Sequence, residues 1–280
     1  MTQFMLLVIL AAAALDALQH SLIKATSDAA CMALIVAMMG GLVALPVLAV
    51  TGLPHPAAYP WLVSSVALGS LYWVVLGWAY QTHALAIVFP LSRGTAVLIT
   101  TLGATLFLGE GLSPGQWLTV LTVFTGLVMI ATHTAQGRMP IAALAPSVAV
   151  ALVTSAFMLV DASGVRLSQS PAAYAAILYL GNAAGIGLYA LLFQRPRLAR
   201  FGPPLVLPAL WVAGLSLVTY ILILYAMTRA PVAVVAALAE TSIVFAAGIA
   251  ILWLREPARP GHLAGIALVA SGVVVLRLTH

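Results

Sequence analysis

Apolar residues run along the chain in ten long blocks, which are separated by short segments rich in proline, glycine and charged residues. Each block is close to the ~17–25 residues that an α-helix needs to cross the hydrocarbon core of a bilayer. The pattern therefore predicts ten membrane-spanning helices, with no room for a water-soluble domain. The predicted spans are 4–24, 31–50, 60–80, 84–107, 115–133, 141–161, 172–193, 205–227, 231–254 and 260–278.

The second half of the chain repeats the first. Residues 72–134 align with residues 218–280 at a constant offset of 146 without a gap, and identical residues include Glu110 and Glu256. Internal repeats in a hydrophobic chain are typical of membrane transporters, whose two related halves surround a central site.

The number of helices in each half determines how the halves are related. Each half holds five predicted helices, and because five is odd the second copy enters the membrane from the opposite side. We therefore expect an all-α membrane protein built as two inverted five-helix repeats, residues 1–138 and 139–280. The first two helices of each half match more weakly, although Asp16 corresponds to Asp161 once a one-residue gap is allowed.

Composition supports the membrane assignment. Hydrophobic residues make up 64% of the chain and charged residues only 6%, too few to cover a soluble domain. The net charge of +5 fits loop arginines anchored at the membrane interface. Cys31 is the only cysteine, which excludes an intrachain disulfide and a cysteine-based metal site. We expect no metal, no cofactor and no nucleic-acid partner.

Two segments carry a family resemblance. Residues 106–114 (LFLGEGLSP) and 252–257 (LWLREP) resemble the "LLGE-r-l-t" segment of the drug/metabolite transporter superfamily, and residues 89–95 (FPLSRGT) resemble the "YPLARG" segment of one subgroup. Over its length the chain resembles the ten-helix EamA-type members of this superfamily. The resemblance implies a secondary transporter that moves a small metabolite, often outward, by alternating access in a bacterial-type cytoplasmic (inner) membrane. It does not select a substrate.

Two ionisable residues fall in the middle of predicted helices. A charge at this depth costs ~2.5–3.5 kcal/mol on insertion scales and usually faces a cavity or a partner. The repeat offset places Glu240 opposite Gly94, next to Arg93, so both charges should face the central axis. In one interpretation Arg93 binds an anionic group of the substrate, while Glu240 binds an ammonium group or a coupling proton. In the other they form an ion pair that closes a gate or joins the two halves.

Asp16, His20 and Lys24 share one face of the first helix, because they are spaced four residues apart. Asp16 and His20 could form a proton relay, since histidine titrates near neutral pH. The alternative is local pairing, with Lys24 extending to the membrane interface.

Several polar and aromatic residues are further candidates for the substrate site. Trp73, Tyr80 and Tyr225 could hold an ammonium group through cation–π attraction, or could be interface and core residues. Asn182 is either a cross-helix hydrogen-bond donor or a cavity residue. Glycines 126, 265 and 272 are expected to let helices pack closely, and Glu110 is expected to be a solvated cap at a helix end.

The favoured function is secondary transport of a small polar metabolite, with a zwitterion as one candidate. Whether transport is coupled to protons is left open. A translocator of lipid or lipid-linked phosphate is the alternative. An intramembrane enzyme is a remote third, because the sequence contains neither G-x-S-x-G nor H-E-x-x-H. The expected partners are the substrate and the bilayer. A monomer is favoured and a homodimer is the alternative.

Overall fold

The computed structural model describes residues 2–26, 28–82, 85–134, 141–194, 202–252 and 260–278. Within these ranges the chain forms eleven α-helices and two short 3₁₀ turns, Pro56–Ala58 and Ile141–Ala143. The helices are α1 (Gln3–Lys24), α2 (Ala29–Thr51), α3 (Tyr59–Thr82), α4 (Leu85–Phe107), α5 (Pro114–Thr134), α6 (Leu144–Ser168), α7 (Pro171–Phe193), α8 (Pro203–Met227), α9 (Val232–Ala239), α10 (Ser242–Leu252) and α11 (Pro260–Leu278).

The helices confirm the all-α membrane fold. Each predicted span corresponds to one helix, except the ninth, which α9 and α10 share. Among the described residues, eight stretches are long and apolar enough to cross a membrane by length and composition. One of them, Val232–Ile249, runs across the junction of α9 and α10, and α11 contributes a shorter apolar stretch, Leu263–Leu278. The predicted boundary after residue 138 lies outside the described residues.

The apolar pattern predicts one continuous helix for the ninth span, and this prediction is wrong. Helix α9 ends at Ala239, and Glu240 and Thr241 separate it from α10. The side-chain hydroxyl of Thr241 donates to the carbonyl oxygen of Leu238 at 2.6 Å. Because hydroxyl side chains can bond nearby backbone carbonyls in place of the helical pattern, three consecutive polar residues here favour a break. The break places Glu240 at a helix terminus inside the protein.

The helix contacts follow a two-fold pattern. Helix α5 packs against α11 and α2 against α7, and in each pair one helix meets its own repeat counterpart. Helices α3 and α4 pack on α6, while their counterparts α8 and α10 pack on α1, the counterpart of α6. Reciprocal contacts of this kind are what an inverted repeat produces around a two-fold axis.

Glycines bring α5 and α11 into close contact, as predicted from the sequence. A Cβ added at Gly126 would lie 2.8 Å from the carbonyl oxygen of Gly265, and a Cβ added at Gly265 would lie 2.9 Å from the carbonyl oxygen of Gly126. Gly272 meets the Val123 side chain of the same interface. This glycine face is therefore occupied within the chain.

Helix α9 is the most enclosed of the described helices. Every residue from Val232 to Leu238 is buried, and most of them join the largest hydrophobic cluster with residues of α6, α7 and α8. The outer surface of the bundle carries large apolar side chains, among them Val50, Leu106 and Trp211. We call the side of the bundle that holds Gln3 and the connections 52–58, 108–113, 169–170 and 228–231 the N-face, and the opposite side the far face.

Candidate functional site

Arg93 and Glu240 form an ion pair near the middle of the bundle. The Nε atom of Arg93 donates to Oε2 of Glu240 at 3.0 Å. The Arg93 side chain is 30% exposed, whereas that of Glu240 is 9% exposed. The pair joins α4 of the first repeat to the break between α9 and α10 of the second. Of the two arrangements that the sequence left open, this structure contains the paired one.

Other charged and polar groups surround the pair. The guanidinium carbon of Arg93 lies 5.7 Å from the centre of the Phe89 ring. Tyr72 of α3 and Asp16 of α1 lie near enough to interact electrostatically with Arg93 and Glu240. The centre thus combines two carboxylates with one guanidinium, a set that suits a solute carrying both an ammonium and an anionic group.

Asp16 and His20 are adjacent, as their spacing predicted. The Asp16 carboxylate accepts a hydrogen bond from Nε2 of Gln19 at 2.8 Å. Nδ1 of His20 donates to the Asp16 carbonyl oxygen at 2.8 Å and lies 3.5 Å from the Asp16 carboxylate. The His20 side chain is 56% exposed and the Asp16 side chain 24% exposed. The arrangement is local pairing, and a proton relay through these two residues stays a prediction.

Asn182 of α7 faces α3. A Cβ added at Gly69 would lie 2.7 Å from Oδ1 of Asn182, and this oxygen is buried without a hydrogen-bond partner among the described residues. The predicted cross-helix bond would be donated by the amide nitrogen of Asn182, so the unpartnered oxygen does not test it, and both interpretations of Asn182 stay predictions. A buried acceptor without a partner costs about 1–3 kcal/mol, so a hydrogen bond from a ligand that reached this oxygen would be favourable.

Of the three aromatic residues proposed for the substrate site, the structure describes the side chain of one. Tyr225 lies near the N-face end of α8, and the guanidinium carbon of Arg229 is 6.0 Å from its ring centre. This ring therefore already faces a cation of the protein. Trp73 and Tyr80 lie on α3, but their side chains fall outside the described residues. A substrate role for these residues stays a prediction.

A buried carboxylate that sequence reasoning had not selected lies between the centre and the N-face. Asp161 is fully buried, and its Oδ1 accepts hydrogen bonds from the hydroxyls of Ser65 and of Tyr174, the latter at 3.0 Å. Its Oδ2 accepts from the hydroxyl of Tyr220. We call these four residues the Asp161 cage. The predicted sixth span ended at residue 161, whereas α6 continues to Ser168, so Asp161 lies about 10 Å inside the helix end.

Aromatic contacts connect the Asp161 cage to the centre. The rings of Tyr220 and Tyr179 pack with their centres 5.9 Å apart. The hydroxyl groups of Tyr179 and Ser216 are hydrogen-bonded at 2.8 Å, and Asp16 interacts electrostatically with Tyr179. Within the described residues, no group of three or more His, Cys, Asp or Glu side chains is placed to hold a metal ion.

Glu110 joins α6 and α9 at the N-face; it caps a helix, as the sequence suggested, but it is not solvated. Its Oε1 accepts from Nη2 of Arg166 at 2.5 Å, and its Oε2 accepts from the backbone N–H of Val232 at 2.7 Å. The Glu110 side chain is only 11% exposed. Nε of Arg166 also donates to the carbonyl oxygen of Met227 at 3.0 Å. We call Glu110, Arg166 and these two backbone groups the N-face latch.

The local chain path explains how Glu110 reaches α9. Gly109 adopts φ +65°, which glycine tolerates, and the N–H of Glu110 bonds the Ala104 carbonyl oxygen at 3.1 Å. The chain then enters α5 through a capping box, in which Ser113 and Gln116 each bond the backbone N–H of the other. The loop is therefore held at both ends, which directs the carboxylate towards the start of α9.

These features define an all-α integral membrane protein with a charged centre. Residues 140–278 match the model of the EamA-like transporter family. Through this half the chain belongs to the EamA-like transporter family, which confirms the EamA-type resemblance; the likeness of residues 89–95 to one subgroup stays a prediction. Of the segments that carry the EamA-type resemblance, the second continues into residues 253–257, which lie outside the described residues.

A solved structure shares the whole fold. The crystal structure of a protein 18% identical in sequence superposes with a TM-score of 0.77, over 100% of this chain and 98% of that chain. At this identity the likeness concerns the fold alone. No curated protein matches the chain at a significant level.

Proposed function

We propose that the protein is a secondary transporter, that it carries a small polar solute with an anionic group, and that this solute competes with Glu240 for Arg93. The observation that carries the proposal is the Arg93–Glu240 pair, which lies midway between the faces while its guanidinium stays partly exposed. The family consists of transporters, and the protein is accordingly proposed to be a carrier rather than an enzyme.

The donor geometry of Arg93 supports binding of an anion. Its bond to Glu240 uses the Nε donor, one of the five N–H groups of a guanidinium. A carboxylate, phosphate or phosphonate of the solute would bind the planar fork through two parallel hydrogen bonds. Glu240, once released, would join Asp16 in holding an ammonium group. This division of roles favours a zwitterion over a simple anion.

The distribution of burial supports alternating access. On the N-face side of the centre the N-face latch joins α6, α8 and α9 to the loop after α4, and α9 is fully buried. Arg93, Asp16 and His20 retain exposure. In this state the solute would enter from the far face, and the opposite state would require the N-face latch to open. Export across a bacterial-type cytoplasmic membrane is the direction and location that we propose.

The test is a ligand screen by thermal unfolding of the purified protein. The panel contains amino acids, aminophosphonates, quaternary amines, simple carboxylates and phosphorylated metabolites. Compounds that raise the unfolding temperature are then assayed as labelled solutes in exchange across liposome membranes. Arg93→Ala is compared with Arg277→Ala, which removes an exposed arginine from the end of α11.

The proposal predicts stabilisation and exchange by compounds with an anionic group, both lost in Arg93→Ala and retained in Arg277→Ala. Equal responses of the two variants would overturn the role of Arg93. Stabilisation by anionic lipids alone, with none by any soluble compound, would overturn the small-solute proposal and favour a lipid translocator.

A further inference from the structure

In the part of the chain that the structure describes, no cation contacts the carboxylate of the Asp161 cage. Its three hydrogen-bond donors are neutral hydroxyl groups from α3, α7 and α8, and Asp161 is fully buried. Within the described residues the two nearby arginines form ion pairs with other carboxylates, because Arg93 pairs with Glu240 and Arg166 pairs with Glu110. A buried carboxylate that lacks a counter-ion depends entirely on its hydrogen bonds when it is ionised.

Among the side chains that the structure describes, two titratable groups of the surrounding elements contact the carboxylate. Tyr174 and Tyr220 are the titratable side chains that face Asp161. The remaining titratable side chains on the described parts of the elements packed against α6 are Tyr59, Tyr72, Arg93, Tyr179, Tyr189, Tyr225, Glu240 and His55. A proton is therefore the simplest species that can neutralise Asp161 in place.

The position of the cage makes proton binding dependent on conformation. The donors belong to helices other than α6, and the N-face latch holds α6 against α8 and α9 just outside the cage. In the closed cage, burial without a counter-ion favours the protonated carboxylic acid, whereas separation of the helices lets water reach the group and favours the ionised carboxylate. A group whose two protonation states prefer different conformations is what coupling requires.

We propose that Asp161 is the proton-binding site of the transporter. The step is the release of one proton from the carboxylic acid to water when the N-face latch opens, and the uptake of one proton as the three hydroxyls close around the group again. This inference rests on the proposed function and names its coupling ion. Asp16, the counterpart of Asp161, is 24% exposed, and the repeat offset places Val74 at the position of Tyr220, so the first repeat lacks this tyrosine donor.

The first test needs no substrate. Infrared difference spectra of the purified protein at acid and alkaline pH report the C=O stretch of protonated carboxylic acids. We expect a pH-dependent band that Asp161→Asn removes and that Asp16→Asn retains. A spectrum in which Asp161→Asn removes no such band would overturn the proposal. If Asp161→Asn does not fold, Tyr220→Phe decides the matter: the band must change frequency, and an unchanged band overturns the proposal.

The second test separates coupling from transport itself. In liposomes, a compound that passed the ligand screen should accumulate against its gradient when a pH gradient is imposed. Asp161→Asn should abolish this accumulation but retain exchange of the labelled compound at equal pH. Accumulation that persists in Asp161→Asn, or that follows a sodium gradient instead, would overturn the proposal. Absence of exchange in the wild type would refute the proposed function, while the infrared result would still decide whether Asp161 binds a proton.

Discussion

The carboxylate of Glu110, on the loop after α4, accepts the backbone N–H of Val232, the first residue of α9, although 122 positions separate them. Pro231 precedes α9 and provides no side-chain cap. The first backbone N–H groups of a helix usually bond the side chain of the N-cap residue just before the helix. Here the acceptor for such an N–H comes from a loop distant in sequence. The negative charge is also favourable at the positive end of the helix dipole. The contact ties α4 to α9 at the N-face, just as Arg93 and Glu240 tie them at the centre.

We expect Glu110→Ala to lower the thermal stability of the protein. The change removes a cap and leaves Arg166 without its carboxylate, at a cost of about 1–3 kcal/mol. Glu110→Gln keeps an acceptor for the Val232 N–H and should lose less. Thermal unfolding of the two variants beside wild type measures both effects. Equal stability of all three proteins would show that the N-face latch contributes nothing to the folded state.

The contact between α5 and α11 predicts a difference between two glycine variants. Gly126→Ala should destabilise by about 1–3 kcal/mol, because the added Cβ would meet backbone atoms of α11 at 2.8 and 2.9 Å. Gly214→Ala in α8 is the matched control. A Cβ there meets nothing within 4 Å, and alanine is the better helix former. Unfolding temperatures in the opposite order would contradict the packing described for the terminal helices.

We expect Asn182 to lower the stability of the free protein and to strengthen the binding of solute. Asn182→Ala removes a buried acceptor that lacks a partner, so the free protein should unfold at the same or a higher temperature. Thr219→Val, which removes another buried oxygen without a partner, is the control for stability alone. The stabilisation by solute should fall in Asn182→Ala. A full solute response in that variant would remove Asn182 from the site.

The charge pair predicts a non-additive effect on stability. Arg93→Ala leaves Glu240 with little exposure and without its one ion-pair partner among the described residues. We expect a loss below the ~3–5 kcal/mol of a fully buried pair because Arg93 is partly exposed. The double variant Arg93→Ala/Glu240→Gln should recover part of that loss, because the isolated charge is gone. Additive losses, measured by thermal unfolding of the single and double variants, would indicate that the two residues do not interact.

The sequence predicted the fold more completely than the site. Hydrophobic block lengths defined ten spans, and the repeat offset placed Arg93 and Glu240 on related helices, because both features are local or periodic. The break at Glu240 was missed, since the apolar pattern continues through it on both sides. Asp161 was noticed only as the counterpart of Asp16, because its donors come from helices distant in sequence. Glu110 was misjudged for the same reason: its partner Arg166 lies 56 positions away.

The central claim is that a solute's anionic group takes the place of Glu240 on Arg93. The most direct test measures binding of an amino acid, and of the matching carboxylate without the amine, to wild type, Arg93→Ala, Glu240→Gln and the double variant. We predict that Glu240→Gln binds the simple carboxylate more tightly and the amino acid more weakly, because a competitor and an ammonium partner are both removed. Arg93→Ala and the double variant should bind neither compound. Unchanged affinities in Glu240→Gln, or binding retained without Arg93, would contradict the account.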